Sequence, residues 1–250
     1  MHVLILCDLF PPVNGTGARR PYYLARQLVE RGHKVSVITT ERQESHPWQA
    51  DRSGMQVHHV PPTHLQRDMP AAQRLLARLD HFAMGKWWHG PVRVIADLLL
   101  PVEHRTRWDL DVPGLREAIG TPDLIVATGP GWSTLEWGSR LARQWNVPLD
   151  LDYRDAWNLI DQRLYNRLLH DLGRGPVGAL RRCKHRKMEQ RIGRSALLVT
   201  AATDAVLANA RSMTGVQRGA TITGGFDPGH PRKASEPNAR FTVVHTGRLY

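Results

Sequence analysis

Cysteine is close to missing from this sequence. Cys7 and Cys183 are the two present, far apart in the chain, and so placed they make neither a disulfide framework nor a metal cluster. A reducing cytoplasm is the simplest setting for such a chain. Long hydrophobic runs are lacking too. No stretch approaches the roughly 18 apolar residues of a membrane span. Met1 opens directly onto His2-Val3-Leu4-Ile5-Leu6-Cys7, which is too short for the apolar region and cleavage site of a secretory leader. Acidic residues are the third shortage, 23 against 34 Lys and Arg, giving a formal net charge of +11. That balance favours an anionic partner: nucleic acid, an anionic membrane surface or a phosphorylated substrate. Nucleic acid is the weakest of these, because no helix-turn-helix, RNP-type motif or zinc spacing is present. The histidines, His58-His59 included, are scattered without a carboxylate partner at ligand spacing, so no metal is expected.

Tryptophan, by contrast, is plentiful, at eight against four phenylalanines. Trp87-Trp88 stands in a segment with Arg93, Arg105 and Arg107, a mixture that suits the lipid headgroup region; the plainer reading is that these rings simply pack. A second basic feature, Ala179 to Arg194, carries Arg181, Arg182, Lys184, Arg186, Lys187, Arg191 and Arg194 against Glu189 alone. It reads either as a solvated helix face or as a surface drawn to anionic lipid or a lipid-diphosphate acceptor. The location expected is cytoplasmic, with peripheral attachment to the inner face of the membrane.

Hydrophobic periodicity sets the fold class. Val3 to Leu6 is a buried-strand run, followed by the loop Phe10-Pro11-Pro12-Val13-Asn14-Gly15-Thr16-Gly17. Tyr22 to Arg31 then places Leu24, Ala25, Leu28 and Val29 on one helical face. Gly32 falls where a helix C′ residue belongs, and Val35 to Thr39 is the next strand. Such a βαβ unit implies a parallel sheet with right-handed crossovers. Further strands are expected at Leu124–Ala127, Leu149–Tyr153 and Ala196–Thr200, with helices at Ser133–Trp145 and Thr203–Ala210. The alternation predicts a doubly wound, Rossmann-like α/β domain. About 61–113 the alternation fails and Leu75, Leu76 and Leu79 point to a helical insertion. From Gly224 to Asn238 the chain turns polar and rich in Gly and Pro, as a linker does, and Phe241 to His245 reads as one further strand.

Gly15-Thr16-Gly17 lies between the first strand and first helix, where backbone N–H groups and a helix N-terminus meet an anion. A dinucleotide fingerprint requires a third glycine at position 20, and Arg20 is there, which argues against NAD. The plain alternative is a βα loop whose glycines serve its turns.

The same residues carry a resemblance. Phe10-Pro11-Pro12, Gly15-Thr16-Gly17, Arg20, Leu24-Ala25, Leu28 and Arg31-Gly32-His33-Lys34-Val35 resemble the opening of family-four retaining glycosyltransferases of the GT-B fold. That opening typically reads P-x-x-G-G, L-A-x-x-L and R-G-H-x-V. Pro122 to Pro130, then Pro148 and Asp152-Tyr153-Arg154-Asp155-Ala156-Trp157, are similar to the family's P-D-x-I-x-x-S-x-P block and D-x-R-D-x-W strand end. Thr223 to Pro228 is similar to the N-G-F-D hinge, with Gly224 where Asn is usual, and Phe241 to Tyr250 is similar to the first strand of the second domain.

The resemblance implies an acceptor-side domain over 1–228 with its insertion at about 61–113. Residues 229–250 become a linker and the first strand of a C-terminal donor-binding domain. It implies a hexosyl-type transfer, with retention and without metal or cofactor, from a nucleotide-sugar donor to a glycan or lipid-linked acceptor, as in polysaccharide biosynthesis. Asp155, Arg154 and Asp152 are the catalytic candidates, at a strand end where many relatives carry a His. Asp155 as a helix N-cap with Arg154 as its surface partner stands beside that assignment. Gly15, Thr16, Gly17 and Arg20 are candidates for binding donor diphosphate or acceptor, and Arg248 matches the arginine that contacts the donor diphosphate. The family's lysine and glutamate pair are not among the 250 residues. This leaves a competing class open: a non-catalytic acceptor- or membrane-binding module that works with a partner polypeptide.

Overall fold

A computed structural model of the chain describes residues 1–41, 46–61, 70–100, 108–129, 131–156 and 176–224. The expected linker and strand of 229–250, Arg248, Trp157, Arg105 and Arg107 lie outside the described residues. Among those described, the strands are β1 (His2–Cys7), β2 (Lys34–Thr40), β3 (Met55–Val60), β4 (Leu124–Thr128), β5 (Leu149–Tyr153), β6 (Leu198–Ala201) and β7 (Gly219–Thr221). They form one sheet in the order β3-β2-β1-β4-β5-β6-β7, and every neighbouring pair is parallel. The helices are α1 (Thr16–Glu30), α2 (Ala71–Ala83), α3 (His89–Leu99), α4 (Val112–Ile119), α5 (Trp132–Trp145), α6 (Pro176–Gly193) and α7 (Asp204–Thr214). Chain order reverses between β1 and β4, which is the topological switch point of a doubly wound sheet.

The alternation of side chains across each strand decides what the helices cover. Val3, Ile5, Cys7, Val35, Val37 and Val126 join Tyr22 and Ala25 of α1 in one apolar cluster. Leu4, Leu6, Ile38, Ile125, Ala127, Leu149, Leu151 and Val199 point the other way, into a larger cluster with Trp132, Leu135, Leu141, Ile192 and Ala210. Helix α5 is sandwiched there, with Trp132 through Ser139 all buried. Each large apolar side chain buried in this way contributes about 1.5–3 kcal/mol. The same alternation turns Thr128, Asp150, Asp152 and Thr200 away from the larger cluster, toward the α1 side of the sheet.

Most expected elements lie where periodicity predicts them, with three differences. Helix α1 starts at Thr16 rather than Tyr22 and carries Pro21 inside it, where the ring leaves the Gly17 carbonyl without its i→i−4 partner. β3 and β7 are additional strands at the two edges of the sheet; one is half-buried with histidines in it, the other three residues long. The segment about 61–113 holds α2 and α3, and α4 begins at its end. Of the tryptophans, Trp108, Trp132, Trp137 and Trp145 pack inside, whereas Trp87 is 94% exposed.

Candidate functional site

The carboxyl edge of the sheet gathers the loops after β1, β4 and β5. The first of these is anchored by aromatic packing. Phe10 is buried against Tyr22, and Trp48 lies edge-on to Tyr22 at 4.7 Å between centroids, an arrangement favoured by the ring quadrupoles. Pro12 carbonyl accepts from the Trp48 amide at 2.8 Å. So held, the loop presents Asn14 through Gly17 at the surface. Gly15 is the extended N-cap of α1 and gives no side-chain cap, so the helix's first N–H groups face outward with their partial positive charge.

Two side-chain ends approach Gly17 closely. A Cβ built on it would lie 2.7 Å from Leu9 Cδ1 and 2.9 Å from Arg154 Nη1. Arg154, at the end of β5, therefore packs directly over the first turn of α1, while its Nε donates to Asp155 Oδ2 at 2.7 Å. Both side chains are about one-third exposed. Arg154, Asp155 and Gly17 thus meet at one place.

Asp152 and Arg20 also meet, but inside the protein. Arg20 grips the Asp152 carboxylate bidentately, Nε to Oδ2 at 2.9 Å and Nη2 to Oδ1 at 2.6 Å. Thr128 Oγ1 donates to Oδ2 at 2.9 Å and Thr200 Oγ1 to Oδ1 at 2.9 Å. The hydrogen bond from Arg20 is joined by charge from Asp152 and Asp150, which together hold the guanidinium above its ordinary pKa. With four donors on two oxygens, Asp152 is 3% exposed and has its charge fully answered. Arg20 reaches further, Nη1 to the Ile222 carbonyl at 2.6 Å. It ties β5, α1 and the segment after β7 together.

Asp150 was not among the sequence candidates, yet it belongs to this network. Burial pushes its carboxyl up to about 7, and the neighbouring charge of Asp152 adds to the rise. Thr200 Oγ1 carries one proton. Given to Asp152, it leaves lone pairs facing Asp150 Oδ2 at 3.1 Å, a contact that is favourable when Asp150 is protonated. Asp8 was also missed. It directly follows β1 and lies against the turn into α5, where a Cβ on Gly131 (φ +128°) would come 3.3 Å from Asp8 Cβ. The available signal was its position, a polar residue closing an apolar strand before a loop. Gly131 is the N-cap of α5, again with no side-chain cap, and the Thr134 hydroxyl bonds back to the Thr128 carbonyl at 3.0 Å to fix that turn.

On the opposite side of β5, Tyr153 and Glu189 of α6 are both buried. Burial raises the Glu189 carboxyl to about 8. Among the described residues, no three His, Cys, Asp or Glu side chains cluster as metal ligands do. No described helix is long and apolar enough to cross a membrane.

Fold and edge together define a Rossmann-like α/β domain whose switch point, between β1 and β4, is fronted by a bare helix N-terminus and a basic side chain. The chain belongs to the Glycosyl transferase 4-like domain family, whose match runs over residues 15–223. Solved structures with a similar fold include Anabaena HepE in complex with UDP, at 14% identity and a TM-score of 0.42, covering 91% of this chain and 45% of that one. Phytolacca americana UGT2, complexed with UDP-2fluoro-glucose and pterostilbene, matches at 11% identity and 0.46, with coverage of 92% and 54%. Arabidopsis thaliana UGT89C1 complexed with quercetin matches at 13% and 0.41, with coverage of 94% and 52%. The chain spans about half the length of these structures. No curated protein matches it at a significant level.

Proposed function

We propose that this chain is the acceptor-side domain of a retaining, metal-independent transferase that moves a hexosyl group from a nucleotide sugar to a glycan or lipid-linked acceptor at the cytoplasmic face of an anionic membrane. The observation that carries the reading is the junction of Gly17, Arg154 and Asp155 at the uncapped start of α1. It offers backbone N–H groups and a guanidinium to a negatively charged group, beside a carboxylate. Family membership over 15–223 supports glycosyl transfer as the chemistry.

In this reading the N–H groups of Gly15, Thr16 and Gly17, with Arg154, stabilise charge that develops on the departing diphosphate. Arg248 contributes from the donor-binding side. Asp155 orients the acceptor hydroxyl, and its hydrogen bond from Arg154 keeps it aimed. Asp152 is a positioning residue. Its oxygens are occupied by Arg20, Thr128 and Thr200, so it holds the end of β5, and with it Arg154 and Asp155, in place.

The test is Asp155→Asn in the whole protein, assayed for transfer of radiolabelled sugar to membrane lipid extract. Asn keeps the size and a cap oxygen but loses the charge. Turnover is expected to fall by at least about tenfold, in line with loss of a positioned acid–base group, while the melting temperature stays unchanged. Normal turnover with an unchanged melt would remove Asp155 from the site.

A further inference from the structure

Helices α2 and α3 form a hairpin turned at Gly85 (φ +79°), and its surface is unlike the rest of the described protein. Leu75, Leu79 and Phe82 lie on one stripe of α2 at helical spacing, exposed by 60%, 45% and 64%. Ile95 and Leu99 make a matching exposed pair on α3, and Trp87 stands at the tip. Cations accompany the apolar groups. Arg74 and Arg78 are exposed one position before Leu75 and Leu79, and Lys86 Nζ sits 3.1 Å from the Phe82 ring centroid and 5.6 Å from that of Trp88. The acid of α2, Asp80, is turned inside.

The base of the hairpin is joined to the candidate site. Lys184 of α6 donates to the carbonyls of Leu98 and Leu100. The next residue, His185, packs edge-on against Trp132 at the first turn of α5, with centroids 5.9 Å apart. Exposed Arg186 and Lys187 follow on the same helix. An eleven-residue α3 is roughly 16 Å long, so the tip stands about one helix length from the start of α5.

We propose that the α2–α3 hairpin is a membrane-docking element, seating Trp87, Phe82 and the leucine stripe among the headgroups of an anionic bilayer. It deepens the transferase reading and rests on it for its purpose, which is to bring the carboxyl edge of the sheet to an acceptor carried in lipid. A bilayer is favoured as the occupant by charge. The apolar stripe is edged with Arg and Lys and its helix's acid is withdrawn, which suits an anionic surface, while Trp and Lys at a tip suit its headgroup layer.

The experiment is flotation of the full chain with phosphatidylcholine vesicles, with and without phosphatidylglycerol. The wild type is expected to float with the anionic vesicles and to be released by high salt. The pair Phe82→Ser and Trp87→Ser should weaken binding on the order of tenfold or more with an unchanged circular dichroism melt. Arg78→Glu with Lys86→Glu should abolish it. The same charge change placed elsewhere, at Arg211→Glu with Arg218→Glu, should leave most of it. Equal loss from both charge pairs would overturn the proposal, since general charge would then account for binding. So would vesicle binding untouched by the Phe82 and Trp87 changes. Wild-type dimers in solution that Trp87→Ser dissolves would overturn it too, by making a second copy the occupant. Transfer to a soluble acceptor, measured on the whole protein with its donor-binding domain rather than on these 250 residues, keeps the two readings apart. A serine pair that floats poorly yet still glycosylates a soluble acceptor upholds both. Wild type that floats but transfers to neither kind of acceptor upholds the docking element and ends the transferase reading.

Discussion

Asp152 and Trp87 each reverse the usual placement of their residue type. The carboxylate is 3% exposed and the indole 94%. At Asp152 a buried charge is tolerated because Arg20, Thr128 and Thr200 all donate to it, and the whole group belongs to three strands and a helix that cannot shift independently. At Trp87 the exposed ring belongs to a hairpin whose own buried core is small: Ala77, Ala96 and Leu100, with Leu76 beside them. The first region spends polar groups on rigidity, and the second leaves apolar surface uncommitted. A domain that must fix reacting groups and also attach to something else needs both kinds of surface, kept apart.

The comparison breaks most visibly at Arg20. Arg20→Met leaves the Asp152 charge buried without its cation, and should lower stability by about 3–5 kcal/mol in urea unfolding followed by circular dichroism. A loss under about 1 kcal/mol would show that the network is not the clamp its distances imply.

Helix α6 joins the two regions, and Glu189 gives it a pH signature. Its carboxyl is raised to about 8 from an ordinary 4.5, so the folded protein holds a proton that the unfolded chain releases. The associated stability is complete below about pH 4.5 and is lost as pH rises toward 8, by about 1.4 kcal/mol per pH unit while only the unfolded chain has ionised. Glu189→Gln fixes the neutral form. Melting curves from pH 5 to 8 should be flatter for the variant, which should be the more stable protein at the alkaline end. Parallel curves would remove Glu189 as their cause.

Thr200→Val is the subtler lesion, since it removes the hydroxyl between Asp150 and Asp152. A loss of about 1–2 kcal/mol is expected from a buried acceptor left short of a donor, again by urea titration. At the other extreme, Trp87→Ser should change stability by less than about 0.5 kcal/mol, because the ring touches so little. A larger loss would mean that the hairpin's exposed face is structural after all.

The sequence was most readable at the middle of the sheet. β1, β2 and β4 are rich in Val, Ile and Leu because both their faces are covered, and β5 shows itself by alternation, Leu149, Leu151 and Tyr153 against Asp150 and Asp152. β3 and β7 went unread because edge strands carry less apolar signal: Met55–Val60 has no fully buried residue, and Gly219–Thr221 is too short for a period to show. The start of α1 was obscured by Pro21, a residue that argues for a boundary wherever tertiary context is unknown. At the site, Arg154 and Asp155 could be found from a strand end and a motif. The pairing of Arg20 with Asp152 could not, since it joins residues 132 apart, and Asp150 entered only through the alternation that turns it to the same side as Thr200.

The place of β1 in the sheet has a consequence for how the protein is made. On one side it pairs with β2, which leaves the ribosome soon after it, but its other neighbour is β4. Everything from Glu41 to Asp123 must be translated before that partner exists. At about 5–20 residues per second this is a delay of several seconds. Throughout it, Val3 to Cys7 present an open, apolar edge, the kind of template on which nascent chains aggregate. Slowing the elongation of codons 41–123, or withholding chaperones that shield such edges, should therefore lower the soluble yield of this domain more than the same slowing applied after Thr128.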